Sequence, residues 1–288
     1  MKNLIYLNCL LFLFAGCKDE PEQIPSYLRI EPFTVDAQGN ASWHKLTEGW
    51  LYVNGEYLGA YTLPAEVPIL ADGDAKIWVY PGVKENGINV TPNIYPILTR
   101  WEGTNVALTP GEIKSVQPNT KYDLAANFPF GISRGDFDGG SSIVLENRDN
   151  DPATSFSLTT DGAFNGKCIL MEVDTAHTFM EVATEKVSGL PNTGAPEVWL
   201  EMHYKCDIPF LLYLIYSYGG DESTQAVYQF NVSEEWNKIY LNLTQSITAT
   251  QALNYRLFYR AVLPKDNNGN YPQLKGAVRI DNIRITHL

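Results

Sequence analysis

Between Leu28 and Thr286 the chain falls into short runs of apolar residues, many alternating with polar ones and closed by Gly, Pro or Asn turn signals. A period of two sends successive side chains to opposite faces, the pattern of half-buried strands. Within residues 26–129 no helical periodicity longer than a turn appears. The expected class is therefore all-β, built as sandwiches. With 288 residues there is room for one large or two modest domains. A hydrophobic content of 44 % against 19 % charged residues supports packed cores rather than disorder.

Residues 26–129 read as an immunoglobulin-like β-sandwich. Leu28-Arg29-Ile30 opens a strand, and Trp50-Leu51-Tyr52-Val53 forms another. Asn54-Gly55 follows directly, the strongest short hairpin signal. Glu56 to Tyr61 returns, Pro64 to Leu70 is expected to be a connection, and Ala75 to Tyr80 is a strand closed by Pro81-Gly82. Val83 to Glu102 is rich in aromatics and Pro. It reads equally as a contact surface or as a loop capping one end of the sandwich. Lys121 to Leu124 is expected to be the last strand.

Phe128-Pro129-Phe130-Gly131 marks the seam to a second unit, residues 130–288. Nine expected strands follow, among them Cys168 to Asp174, Val198 to Cys206 and Ala277 to Thr286. That number in this length fits a jelly-roll sandwich. In Trp199 to Cys206, the residues Leu200, Met202, Tyr204 and Cys206 take the inward phase. Trp199 and His203 take the outward one, which makes Trp199 the leading candidate for stacking on a ligand and His203 a solvated side chain. Cys168 falls on the outward phase of its own strand, which argues against a Cys168–Cys206 disulfide. In the last strand Val278 and Ile280 set one phase and Ile283 and Ile285 the other. The switch at Asp281-Asn282 predicts a bulge.

The amino terminus is read as a signal segment. Residues 1–16 carry one cation, Lys2, then an apolar run too short to span a bilayer. Phe14-Ala15-Gly16-Cys17 resembles a bacterial lipobox, which implies a signal peptide over 1–16 and an acylated Cys17. Lys18-Asp19-Glu20 resembles the acidic export signal that follows the lipid-bearing Cys in Bacteroidota surface lipoproteins. Residues 17–25 are then a tether reaching roughly 30 Å when extended. Trp50 to Gly55, Tyr80 to Gly87 and Glu234 to Tyr240 also resemble segments of such lipoproteins. The resemblance implies an outer-membrane protein, lipid-anchored through Cys17 and facing the extracellular side.

Asp136-Phe137-Asp138-Gly139-Gly140 and the closing Ile280-Asp281-Asn282-Ile283 together resemble the galactose-binding-like jelly rolls of carbohydrate-binding modules. In that family the first and last strands meet and hold a structural calcium. The resemblance implies Asp138 and Asp281 as ligands, with carbonyl oxygens completing a hard-cation site.

The chemistry of catalysis is not written here. The four His are not spaced as metal ligands, and neither a nucleophile elbow nor a phosphate loop occurs. Glu172, Glu181, Glu185 and Glu201 could be imagined as glycosidase carboxylates only if the fold paired them. A formal net charge of −12 opposes nucleic acid. The expectation is a non-enzymatic binding or scaffold subunit of an outer-membrane complex, docked on a β-barrel protein. The alternative is a glycan-binding lipoprotein that uses its jelly roll.

Overall fold

The structure, a computed structural model, describes residues 22–36 and 43–288. The expected lipidation site Cys17 and the export signal Lys18, Asp19 and Glu20 lie outside the described residues. Among the described residues no helix is long and apolar enough to cross a membrane.

The fold is all-β, an immunoglobulin-like sandwich followed by a jelly roll. The first sandwich comprises β1 (Ser26–Ile30), β2 (Thr34–Val35), β3 (Glu48–Val53), β4 (Glu56–Thr62), β5 (Ala65–Ile69), β6 (Gly73–Lys84), β7 (Pro92–Ile94), β8 (Trp101–Leu108), β9 (Ile113–Val116) and β10 (Asn119–Thr120). One sheet runs β4-β3-β6-β7, with β8 also on β6. The other runs β5-β1-β9, and β2 pairs with β10. Leu28, Ile30, Val67 and Ile69 from one sheet pack against Leu51, Val53, Ile77 and Val79 from the other. The Asn54-Gly55 hairpin joins β3 to β4, both turn residues having positive φ.

Two expectations fail here. Ala65–Ile69 is a strand, not a connection; its Pro68 is tolerated because β5 is an edge strand. Tyr122 makes only an isolated bridge to Leu98, so Lys121 to Leu124 is not a strand.

The jelly roll comprises β11 (Leu145–Asn147), β12 (Ser157–Thr159), β13 (Cys168–Asp174), β14 (Phe179–Thr184), β15 (Val187–Ser188), β16 (Val198–Cys206), β17 (Phe210–Ser217), β18 (Glu222–Phe230), β19 (Ser233–Asn242), β20 (Asn254–Val262) and β21 (Lys275–His287). Sheet one is ordered β12-β13-β21-β16-β19. Sheet two is ordered β11-β14-β20-β17-β18, with β15 on β20. Their facing sides bury one continuous core that includes Met171, Leu200, Met202, Leu212, Tyr259 and Ile280. A short helix, α1 (Thr244–Thr250), follows β19 and leaves the all-β class unchanged. It is anchored by the single buried residue Ile247, which is too little to show a period.

The phase switch in β21 is a bulge. Glu201 of β16 lies opposite Arg284 and His203 opposite Asp281, so Met202 alone faces two residues, Asn282 and Ile283, and Asn282 takes φ +52°. A 3-10 turn at Arg134–Asp136 packs flat on this strand. A Cβ on Gly135 would lie 1.9 Å from the Ile283 carbonyl oxygen, so only glycine allows the approach.

Candidate functional site

The outward side of sheet one does not face water at its centre. Trp199 points away from its own sheet, as alternation requires, yet its exposure is 0 %. The first sandwich covers it: the Tyr95 ring meets the indole edge-on at 5.3 Å, and Val83, Ile97, Leu98 and Tyr240 complete an apolar cluster. Trp199 is therefore a contact between the two sandwiches and not a ligand platform, a correction to the surface role expected for it. The aromatic segment 83–102 supplies this cover through Tyr95, and its turn Asn86-Gly87 docks as well. Asn86 donates its amide to the Tyr240 carbonyl at 2.9 Å, and its Oδ1 accepts the Asn242 amide at 3.0 Å.

Beside the apolar cluster lies a dry group of charges. Glu201 is fully buried and accepts hydrogen bonds from the Tyr95 hydroxyl at 2.6 Å, the Tyr122 hydroxyl at 3.1 Å and Lys238 Nζ at 2.8 Å. Arg284 Nη1 stands 3.8 Å from the same carboxylate and donates to the Tyr122 hydroxyl at 3.1 Å. Burial works to raise the Glu201 carboxyl, but Lys238 and Arg284, joined by His44 where it is protonated, outweigh it and keep the group low. Burial lowers Lys238 against the pull of Glu201. His203 is not solvated as expected. It is buried, stacks on Phe164 at 4.1 Å, and burial pushes it down to about 2. Every polar partner of Glu201 is committed to the seam, which makes this a structural lock rather than a reaction centre.

The other carboxylates stand apart. Glu181 pairs with Arg260 on the outer side of sheet two, and Glu185 pairs with Arg134. Glu181 and Glu201 thus occupy opposite outer faces of the jelly roll and cannot flank one glycosidic bond. Cys168 and Cys206 are separate buried thiols, each pushed up to about 11 by burial.

Asp138 and Asp281 come together where the 3-10 turn meets β21. Asp281 is fully buried, and burial pushes its carboxyl up to about 8. The amides of Asn282 and Asn165 oppose that rise, while Asp138 and Asp136 add to it. Asp138 Oδ1 accepts the Lys167 amide at 2.6 Å, and a Cβ on Gly166 would collide with it. The buried Asn282 side-chain amide has no hydrogen-bond partner among the described residues. Oxygen-rich and under mutual repulsion, with the Asn282 side chain beside them unpartnered, the donors suit a hard cation. Among the described residues no three His, Cys, Asp or Glu side chains converge as a ligand set, so carbonyl oxygens would have to complete it.

Among the described residues the outer side of sheet two carries no such cover. Glu146, Ala183, Phe258, Tyr213 and Ala226 form one cross-strand row; Glu181, Arg260, Leu211 and Gln229 form the next. The Arg260 guanidinium lies 5.1 Å from the Tyr213 ring centre. Arg256 pairs with Glu146 at 2.7 Å, Arg148 with Glu222 at 2.9 Å, and Lys186 with Glu222 at 3.2 Å. Phe258, Ile215 and Ala183 lie buried beneath these side chains. Alternation within Phe210 to Ser217 would have found Tyr213. The charged frame comes from four other strands, β11, β14, β18 and β20, and has no local signature.

No protein-family model matches the chain, and no curated protein matches it. Solved structures are similar at low identity. The enzymatically active domain of tailspike protein 4 of bacteriophage CBA120 is 12 % identical over 56 % of this chain, with a TM-score of 0.39; the match spans only 21 % of that domain's length. The family 11 carbohydrate-binding module of a Clostridium thermocellum cellulosomal cellulase is 11 % identical over 52 % of this chain and 91 % of its own, at 0.36. A xylan-binding domain from Paenibacillus barcinonensis is 12 % identical over 54 % of this chain and 98 % of its own, at 0.37.

Proposed function

We propose that this is a non-catalytic glycan-binding protein, lipid-anchored through Cys17 on the outer face of the outer membrane. In this reading a signal peptide over 1–16 and a tether over 17–25 precede two domains, divided between residues 129 and 130. One observation carries the choice of ligand face. Of the jelly roll's two outer faces, one is roofed by the first sandwich, and the other is open among the described residues, with Tyr213 framed by arginines and carboxylates. A pyranose offers an apolar C–H face to an aromatic ring and hydroxyls that both donate and accept. Paired guanidinium and carboxylate groups can read those hydroxyls bidentately.

Asp138 and Asp281 would hold a calcium ion that neutralises their repulsion and pins the 3-10 turn to β21. The test of the main reading is retention of the full chain in gels containing soluble polysaccharides. Tyr213→Ala and Arg260→Ala should each weaken retention severalfold without changing the fold. Unaltered retention in both variants would reject the open face as the site.

Docking on a β-barrel complex is the second reading. Strand β4 favours it: among the described residues it is an edge of its sheet with one side unpaired, and Tyr57 and Leu58 are exposed. Such edges accept a strand from a partner. Recovery of a fixed barrel protein from mild-detergent extracts, lost on Leu58→Pro, would support it. Purely monomeric behaviour at native expression would oppose it.

A further inference from the structure

The first sandwich carries aromatic rings where a sheet's solvent side usually carries polar residues. Leu51, Val53, Ile77 and Val79 face the core, so Trp50, Tyr52, Trp78 and Tyr80 face out. Register sets them in two rows: Trp50 beside Tyr80, and Tyr57 beside Tyr52, Trp78 and Glu102. The rings hold one another. Tyr57 stacks on Trp50 at 5.4 Å and 24°, and Tyr52 meets Tyr80 at 5.4 Å. The Arg100 guanidinium sits 4.4 Å from the Trp78 ring and donates to the Tyr80 hydroxyl at 2.6 Å. Trp50 Nε1 and Trp78 Nε1 have no acceptor among the described residues, which is uncommon for buried donors.

A groove of about 470 Å³ opens beside Tyr80. That volume lies in the range of roughly 300–1,000 Å³ typical of small-ligand sites. Its floor is apolar, from Ile94, Pro96 and Leu98; its rim carries Arg100, Glu102 and Asp123. The rim decides the ligand class. A purely apolar side chain would strip water from three charged groups and offer them nothing. An anion would meet two carboxylates. A neutral polyhydroxylated ring satisfies cation and carboxylates together, and its C–H face matches the floor and the Tyr80 ring.

We propose that this groove is a second carbohydrate site, taking a neutral pyranose unit of a polysaccharide whose neighbouring units lie along the aromatic rows. It lies on a different sandwich from the Tyr213 face and does not depend on that face binding sugar.

The experiment is affinity electrophoresis and calorimetry of the full chain with mixed-linkage β-glucan, xylan and galactomannan. The variants are Tyr80→Ala, Asp123→Asn and Tyr213→Ala, each checked for native circular dichroism. Tyr80→Ala should weaken binding at least about tenfold, as loss of one stacked ring and its contacts does. Asp123→Asn should weaken it several-fold with the fold intact, and Tyr213→Ala should leave this component in place. If Tyr80→Ala and Asp123→Asn bind like the parent while Tyr213→Ala does not, only the jelly-roll reading stands. If the full chain retains none of the three polymers, both site assignments fall for neutral glycans. Photo-crosslinking from position 80 that captures a protein in native membranes, with no polymer retained, would make the face a protein-docking surface and overturn the proposal.

Discussion

The Tyr95 hydroxyl donates a 2.6 Å hydrogen bond to Glu201 Oε1 across the seam between the two sandwiches. The bond ends on a carboxylate that water does not reach, and Lys238 supplies its nearest cation at 2.8 Å. A buried charge stripped of its partner costs more than the pair contributes. Lys238→Met should therefore destabilise the protein by about 3–5 kcal/mol. Tyr95→Phe, which removes one donor, should cost about 1–3 kcal/mol. Urea unfolding of both variants and of the double variant measures the coupling. A Lys238→Met protein as stable as the parent would show that the cluster is not a lock.

Trp199 lies at the centre of the same seam. Its truncation opens a cavity that the rigid neighbours Tyr95 and Tyr240 cannot fill. Trp199→Ala should cost about 3–5 kcal/mol and leave polysaccharide retention unchanged once folding is restored at low temperature. Normal stability with lost sugar binding would return the residue to the ligand role that its outward phase implied.

His44 adds a pH dependence. It packs edge-on to Tyr122, and burial pushes it down to about 4, with Glu201 opposing and Lys238 and Arg284 assisting. The unfolded chain takes this proton near pH 6.5, whereas the folded protein resists it. The contribution is thus fully present above about pH 6.5 and lost as pH falls towards 4, by about 3 kcal/mol in all. His44→Gln should flatten that part of the melting curve measured against pH. An unchanged slope in the variant would assign the acid sensitivity elsewhere.

Calcium binding at Asp138 and Asp281 would appear as stability. At a calcium concentration one hundred times the dissociation constant, the stabilisation is about 2.7 kcal/mol, enough to move the melting temperature by several degrees. Asp138→Asn should remove the response to calcium. Identical melting in calcium and in a chelator would dispose of the site.

The strand framework could be read from the chain because its information is local. Cys168–Asp174 and Val198–Cys206 alternate in sequence, and the slip from Ile280 to Ile283 marks the bulge. Strand β8 was hidden by Gly103 and by Asn105 at positive φ, which break its period. Helix α1 has one buried residue and so no pattern to read. The failure at Trp199 is of another kind. Its direction was right, but what lies over it comes from residues about a hundred positions earlier, and no period reports that. The reverse holds for Trp50, Tyr52, Trp78 and Tyr80, where large rings on the outward phase of two paired strands are visible in the sequence as a face without a polar side.

The roof over β16 and β19 also decides how the molecule can be dissected. A jelly roll produced from residue 130 onward would bring Trp199, Tyr240 and the Glu201 carboxylate into water, a raw surface that the whole chain keeps closed. Such a fragment would tend to clump, and polymers caught in a screen could be held by that artificial wound instead of by the open side. Ligand discovery on this protein therefore belongs to the intact two-part chain, with the isolated half kept as a control for stickiness.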